Sequence, residues 1–256
     1  MSNIDGQAER TAEVHFAVRS YECAPDGSAS LQTICNYLQE TAWIGAKKNG
    51  IDLQRPEDAD RGWALIGLHL EMMRYPAWGD KLTIATWPSG KRRLYAYRDF
   101  LLQNYSDEII GRATSAWVVF DLRRRRLLRL PEWFNRGVPQ DCPRVLSDDL
   151  DTPLPDLSQV DSACRFHVRL SDLDTQKHVN NVQYIVWASE AAHEQLQGGM
   201  QVSGMEVRFL SESKLGDKVL SEMQAAEADA SLHRVLRESD RAALMRARFN
   251  WATIPD

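Results

Sequence analysis

Cysteine is scarce in this chain: four residues in 256, at positions 23, 35, 142 and 164, with no Cys-x-x-Cys among them. That spacing holds no zinc site, and a disulfide scaffold is not expected at this length, so all four read as reduced thiols of a cytoplasmic protein. Positive charge is not in excess either. Lys and Arg number 31 against 36 Asp and Glu, a formal net charge of −5, which argues against a protein built mainly to grip nucleic acid. No apolar run approaches the ~20 residues of a membrane span. The first ten residues, MSNIDGQAER, carry acids and lack the apolar stretch of a secretory signal. Glycines such as Gly6 and Gly111 mark no phosphate loop, and no Gly-x-Gly-x-x-Gly follows a strand, so no nucleotide cofactor and no metal are expected. With 43% hydrophobic residues the chain still has material for a sizeable core, in one large domain or two small ones.

What is present is a repeat. The segment VRSYECAPDGSASLQTICNYLQE (18–40) aligns with VRLSDLDTQKHVNNVQYIVWASE (168–190), a constant spacing of 150. Each reads as a short alternating strand, a polar turn and a helix. The apolar helix positions are Leu31, Ile34, Leu38 and Ala42 in the first copy, and Val182, Ile185, Val186 and Ala188 or Ser189 in the second. A Gly-Asp-Lys run follows in both, at 79–81 and 216–218, between two strand-like stretches. Turn chemistry of that kind predicts a hairpin in each half. Further strands follow: YRDFLL and ATSAWVVFDL around a turn at Asn104 to Asp107, then LHRVLRES and ALMRARFNWATI. The expectation is an α+β protein of two tandem units, residues 10–130 and 163–256, each a long helix wrapped by a curved antiparallel sheet. Residues 131–162, with Pro131, Pro139, Pro143, Pro153 and Pro155, read as a linker crossing the surface.

Asp172, Asp174, Gln176, His178, Asn180 and Asn181 crowd the entrance of the second helix. Asn and Asp are good N-caps, so folding alone accounts for part of this cluster. The first half manages with Ala24, Ser28 and Ser30 where the second has Asp174, His178 and Asn180. Capping therefore leaves Asp174 and His178 unexplained. Glu212 interrupts the strand-like run RFLSESKLGD, and its counterpart in the first half is Tyr75. A histidine, a carboxylate and the unpaired N–H groups of a first helical turn, around Val179 to Asn181, are the parts of a hydrolytic site with an oxyanion donor.

The run DLDTQKHVNNVQYIVW resembles the active-site signature of the plant and bacterial acyl-acyl-carrier-protein thioesterases, Asp-x-Asn-x-His-Val-Asn-Asn-x-x-Tyr-Ile-x-Trp. SLQTICNYLQE, RYPAWGDKLTIATW, YRDFLL and ATSAWVVFDLRRRRLLRLPE resemble that family's first half, and RFLSESKLGDKV its second, so the resemblance covers nearly the whole chain. It implies two tandem hotdog folds, the first shaping an acyl pocket and the second carrying the site. It also implies hydrolysis of the thioester between a fatty acyl chain and the phosphopantetheine arm of acyl carrier protein. The family's acid becomes Asp174, its histidine His178 and its glutamate Glu212. Two positions depart: the family's asparagine is Gln176, and the cysteine of many plant members is Ser213. Gln keeps the amide on a longer stem, whereas serine at 213 removes the thiolate route and would need a strong adjacent base. Asn180, Asn181 and Ser213 are the supporting candidates.

Two basic islands, Gly90–Arg93 and the run Arg123, Arg124, Arg125, Arg126, are solvated turns on one reading and a docking patch for an acidic carrier protein on the other. Met72, Met73, Trp43, Trp63, Trp78 and Trp87 are core candidates that the resemblance promotes to acyl-pocket candidates. Rival readings are an acyl-CoA thioesterase on the same fold, and a non-catalytic acyl-binding or carrier-docking protein. A hotdog dehydratase is disfavoured by the lack of its His-x-x-x-x-x-x-Pro-Gly pattern. A monomer is feasible, since two units already pair within one chain, and a homodimer is the other option.

Overall fold

The computed structural model describes residues 11–132, 134, 138, 144–146, 150, 152–192, 199–227 and 229–253. Gly6, Pro139, Cys142 and Pro143 lie outside the described residues. The first half runs β1 (Ala12–Ala17), α1 (Leu31–Lys48), β2 (Arg61–Met72), β3 (Lys81–Arg92), β4 (Tyr95–Asn104), β5 (Ile109–Asp121) and the short β6 (Arg126–Leu128). The second runs β7 (Ser162–His167), α2 (Asn181–Ala192), β8 (Gln201–Phe209), β9 (Lys218–Ala225), β10 (Ala230–Arg237) and β11 (Ala243–Ala252). Strand order is β1-β3-β4-β5-β2-β8-β11-β10-β9-β7, with β6 on β5. The two halves are mirror sequences of the same five-strand order. They fuse through the antiparallel pairing of Gly67–Glu71 with Gly204–Arg208, so a single antiparallel sheet cradles both helices.

Local chemistry explains the helices. Ser30 caps α1 by accepting the Thr33 N–H at 3.1 Å, and Lys47 and Lys48 complement the dipole in its last turn. Ile34, Leu38 and Ala42 are buried as the periodicity predicts, and Thr33, Tyr37 and Thr41 join them. In α2 the buried set is Val182, Tyr184, Ile185, Trp187, Ala188, Ala191 and Ala192, while Val186 is only half-buried. Each helix is clamped to the first strand of its half by an aromatic pair at repeat-equivalent positions. Phe16 stacks on Tyr37 at 4.1 Å, and Phe166 on Trp187 at 5.7 Å; such pairs contribute about 0.5–1.5 kcal/mol beyond area burial. Residues of both helices and both halves of the sheet form one core.

Two expectations are corrected. The Gly-Asp-Lys turns do not close hairpins, because β2 pairs with β5 and β8, and β3 with β1 and β4. Instead, each turn carries the chain across to meet the first strand of its half. Val18 and Val168 donate to the Asp80 and Asp217 carbonyls at 2.9 Å each, and the left-handed Gly79 and Gly216 (φ +88° and +86°) make the reversal possible. Nor does the segment 131–162 simply cross the surface. Phe134, Val138, Leu146 and Leu150 are buried. Asp99, buried on the outer face of β4, accepts the Val145 N–H at 2.7 Å and the hydroxyls of Ser89 and Thr114 at 2.9 Å each. Burial raises the Asp99 pKa, and the Val145, Thr114 and Ser89 hydrogen bonds oppose it. The prolines deny this segment regular structure without denying it a packed seat. The turn at Asn104 to Asp107 does join β4 to β5, with the Asn104 side chain accepting the Ser106 and Glu108 amides.

Candidate active site

The loop before α2 is built by its own backbone. The Asp174 and His178 main chains pair (N–H to O, 2.8 Å), Lys177 N–H reaches the Asp174 carbonyl at 3.0 Å, and Asn180 N–H the Asp172 carbonyl at 2.9 Å. Lys177 sits at φ +64° to make the reversal. The first half repeats each of these bonds with Ala24, Ser28, Gly27, Ser30 and Glu22, at 2.7, 3.0 and 2.9 Å. One scaffold therefore presents residue 28 in one half and residue 178 in the other.

Asp174 serves this scaffold. Its Oδ1 accepts the amides of Gln176 at 2.8 Å and His178 at 3.1 Å, which fixes the backbone from which the imidazole projects. Gln176 itself is exposed. Asn180 accepts the Val182 N–H at 2.9 Å and caps α2. Of the three amides expected to be open, two are engaged: Val179 donates to the Ser213 carbonyl at 3.2 Å and Asn180 to Asp172. Asn181, the first helical residue, is the one whose N–H points off the helix end.

The chain next brings Glu212 to the histidine. Leu210 and Ser211 are tied to the Leu244 carbonyl, and Ser213 N–H donates to the Tyr184 hydroxyl at 2.9 Å. Glu212 stands between these anchors, with its Oε2 3.6 Å from His178 Nε2. Both groups are accessible, at 28% and 44% side-chain exposure, as residues meeting a substrate must be. Ser213 is fully buried, and its hydroxyl donates to Asp217 Oδ2 at 2.8 Å. It braces the Gly216 turn and has no path to a substrate carbonyl.

Two neighbours escaped the sequence reading. Tyr184 holds Ser213 from α2; only its place in the HVNNxxY run hinted at more than core packing. Arg125 arrives from the first half, its Nη2 donating to Glu212 Oε2 at 2.9 Å, and nothing in linear spacing connects residues 87 apart. Among the tryptophans, Trp87 is buried and Trp63 donates to the Ile51 carbonyl, but Trp43 (52% exposed) and Trp78 (69%) lie outside the core, Trp78 lining an open hollow with Phe16 and Tyr37. Met72 is buried, and Met73 is 40% exposed.

Fold and site together define a tandem hotdog protein with a histidine–carboxylate pair at the mouth of its second cradle. The chain matches the Acyl-ACP thioesterase N-terminal domain over residues 9–136 and the Acyl-ACP thioesterase C-terminal domain over 156–253. It belongs to the acyl-ACP thioesterase family. It is 30% identical over 253 residues to the acyl-[acyl-carrier-protein] hydrolase FATB3, chloroplastic, of Cuphea viscosissima, across 92% of this chain and 61% of that protein. It is 30% identical over 265 residues to the palmitoyl-acyl carrier protein thioesterase, chloroplastic, of Arabidopsis thaliana, across 93% and 63%. The chain thus spans about three-fifths of the length of the curated relatives it matches. Among solved structures, the 12:0-ACP thioesterase from Umbellularia californica superposes with TM-score 0.84 at 26% identity, covering 95% of this chain and 97% of that one. An acyl-ACP thioesterase from Bacteroides thetaiotaomicron gives 0.82 at 19% identity over 96% and 99%, a likeness of fold alone.

Proposed function

We propose that this protein hydrolyses the thioester of fatty acyl-[acyl carrier protein], releasing free fatty acid as a terminating step of fatty-acid synthesis. The observation that carries the reading is the meeting of His178 and Glu212 at 3.6 Å over a loop whose counterpart in the other half bears neither group. Glu212, assisted by His178, takes a proton from water as its oxygen attacks the thioester carbon. The tetrahedral oxyanion lies at the start of α2, facing the Asn181 N–H. Its collapse breaks the C–S bond, and the proton held by the Glu212–His178 pair passes to the departing thiolate. Asp174 acts through the backbone, holding the His178 amide in place. Gln176 is exposed on the same loop, and its amide is assigned to holding the water or the substrate.

The partner this reading implies is an acidic carrier protein. Support comes from an open hollow of about 440 Å³ lined by Lys91 and Arg93 of the first basic island together with Leu94, Arg129 and Leu130. No helix among the described residues is long and apolar enough to cross a membrane. Cys23 and Cys35 are free thiols, which suits the cytoplasm as the proposed compartment. The test is steady-state hydrolysis of acyl-carrier thioesters of graded chain length by the purified protein. Release of free fatty acid supports the reading; tight acyl-thioester binding without turnover contradicts it and favours a binding protein. Charge reversal at Arg124 and Arg126 should raise KM for carrier-linked substrate and spare small thioesters, whereas equal losses on both would argue against docking there.

A further inference from the structure

Four consecutive arginines close the turn between β5 and β6, and their partners divide them. The amides of Arg123 and Arg124 donate to Asp121 Oδ1 at 3.0 and 2.8 Å, and Arg123 Nε lies 2.6 Å from Asp60 Oδ1. These contacts pin the turn to its own half. Arg125 does something else. It crosses to the second half and bonds Glu212 Oε2 at 2.9 Å, and it does so from φ +50°, a left-handed conformation that glycine or asparagine adopts at lower cost. The Arg125–Glu212 pair is 60% and 44% exposed, and ion pairs this wet contribute little to stability. The fold therefore gains little from placing an arginine here.

The geometry points to Arg125 as a positioning residue for the reacting carboxylate, supplied by the half that carries no site of its own. This rests on the hydrolase reading above. One oxygen, Oε2, is held from two sides, by the guanidinium at 2.9 Å and by the His178 imidazole at 3.6 Å. That engages Oε2 and leaves Oε1 as the oxygen that receives the proton of the attacking water. Arg125 is thereby set apart from Arg123, Arg124 and Arg126, whose places on the turn suit docking, and the site becomes a composite of both halves.

The experiment uses the intact chain and two substrates, a fatty acyl-carrier-protein thioester and the same acyl group on N-acetylcysteamine, which lacks phosphate and carrier. For Arg125→Ala, kcat falls on the order of 10- to 100-fold on both substrates, with KM nearly unchanged. Arg125→Lys, which keeps the positive charge, recovers part of the loss. Combined with Glu212→Gln, the Arg125→Ala change adds no further loss. A parent-like kcat in Arg125→Ala would overturn the inference. So would a defect confined to KM for the carrier-linked substrate, which would make Arg125 a docking residue. If the parent protein hydrolyses neither substrate, the hydrolase reading fails and this inference goes with it.

Discussion

At the mouth of the first cradle, Asp26 and Ser28 are bonded to the Gln201 side-chain amide from the other half, at 2.8 and 2.9 Å. At the mouth of the second, Glu212 meets both the His178 imidazole and the Arg125 guanidinium, the arginine again coming from the other half. The loops match bond for bond. What differs is the chemistry hung on them: serine for histidine, and tyrosine for glutamate. Tyr75 is buried and donates to the Val202 carbonyl at 2.8 Å, so where the second half has a reactive carboxylate the first has a stitch between the halves. Duplication supplied two presenting loops; one was closed by hydrogen bonds to a glutamine amide of the other half, the other left with an exposed histidine–carboxylate pair.

The largest expected effect breaks this comparison directly. His178→Ala lowers kcat by about 10²- to 10⁴-fold, the usual contribution of a group taking part in general acid–base catalysis, while Ser28→Ala at the matching position leaves kcat at the parent value. Comparable losses in both would mean that the loops, not their side chains, carry the difference. Next comes the seat of the connecting segment. Leu150, buried against Tyr97 and Ala116, costs about 2–5 kcal/mol when changed to alanine, measured by denaturant unfolding. A change near zero would restore the picture of a surface linker.

A pH effect of middle size separates the two halves. His233 in the second cradle is buried, its Nε2 2.7 Å from the Ser231 hydroxyl, and desolvation pushes its pKa down from 6.5 to about 3. The sheet-register equivalent in the first half is Phe100, which does not titrate. A base with a depressed folded pKa leaves stability intact above 6.5. As pH falls through 6.5 towards 3 the unfolded chain takes up the proton first, and stability drops by up to ~1.4 kcal/mol per pH unit. Unfolding of His233→Gln should lose that slope; an unchanged slope would place the acid sensitivity elsewhere. The smallest effect sharpens the loop comparison. Gly27 holds φ +87° where Lys177 holds +64°, so Lys177→Gly is expected to be neutral or stabilising by roughly 0.5 kcal/mol, and Gly27→Ala destabilising by about 1 kcal/mol.

Much of this was legible because duplication writes the same physics twice. The constant spacing of 150 exposed the cap, the turn and the helix, and the mismatches at 178 and 212 exposed the candidate site. What the sequence withheld was long-range pairing. A Gly-Asp turn looks the same whether the chain doubles back or crosses over, and the difference lies in β1 and β7, far upstream of each turn. Proline-rich composition reported the missing regular structure of 131–162 but not the apolar anchors Phe134 and Leu150 set among its polar residues. Arg125 was invisible as a neighbour of Glu212 because the β2–β8 fusion of the two halves has no local signature.

The central claim is that the second half alone carries the reacting groups, with Glu212 the base. Steady-state hydrolysis of a fatty acyl-carrier-protein thioester by the parent and by Glu212→Gln, with thermal unfolding of both, tests it most directly. The account predicts a kcat at least about 100-fold lower in Glu212→Gln with an unchanged unfolding midpoint. A Glu212→Gln protein that turns over at the parent rate would contradict it.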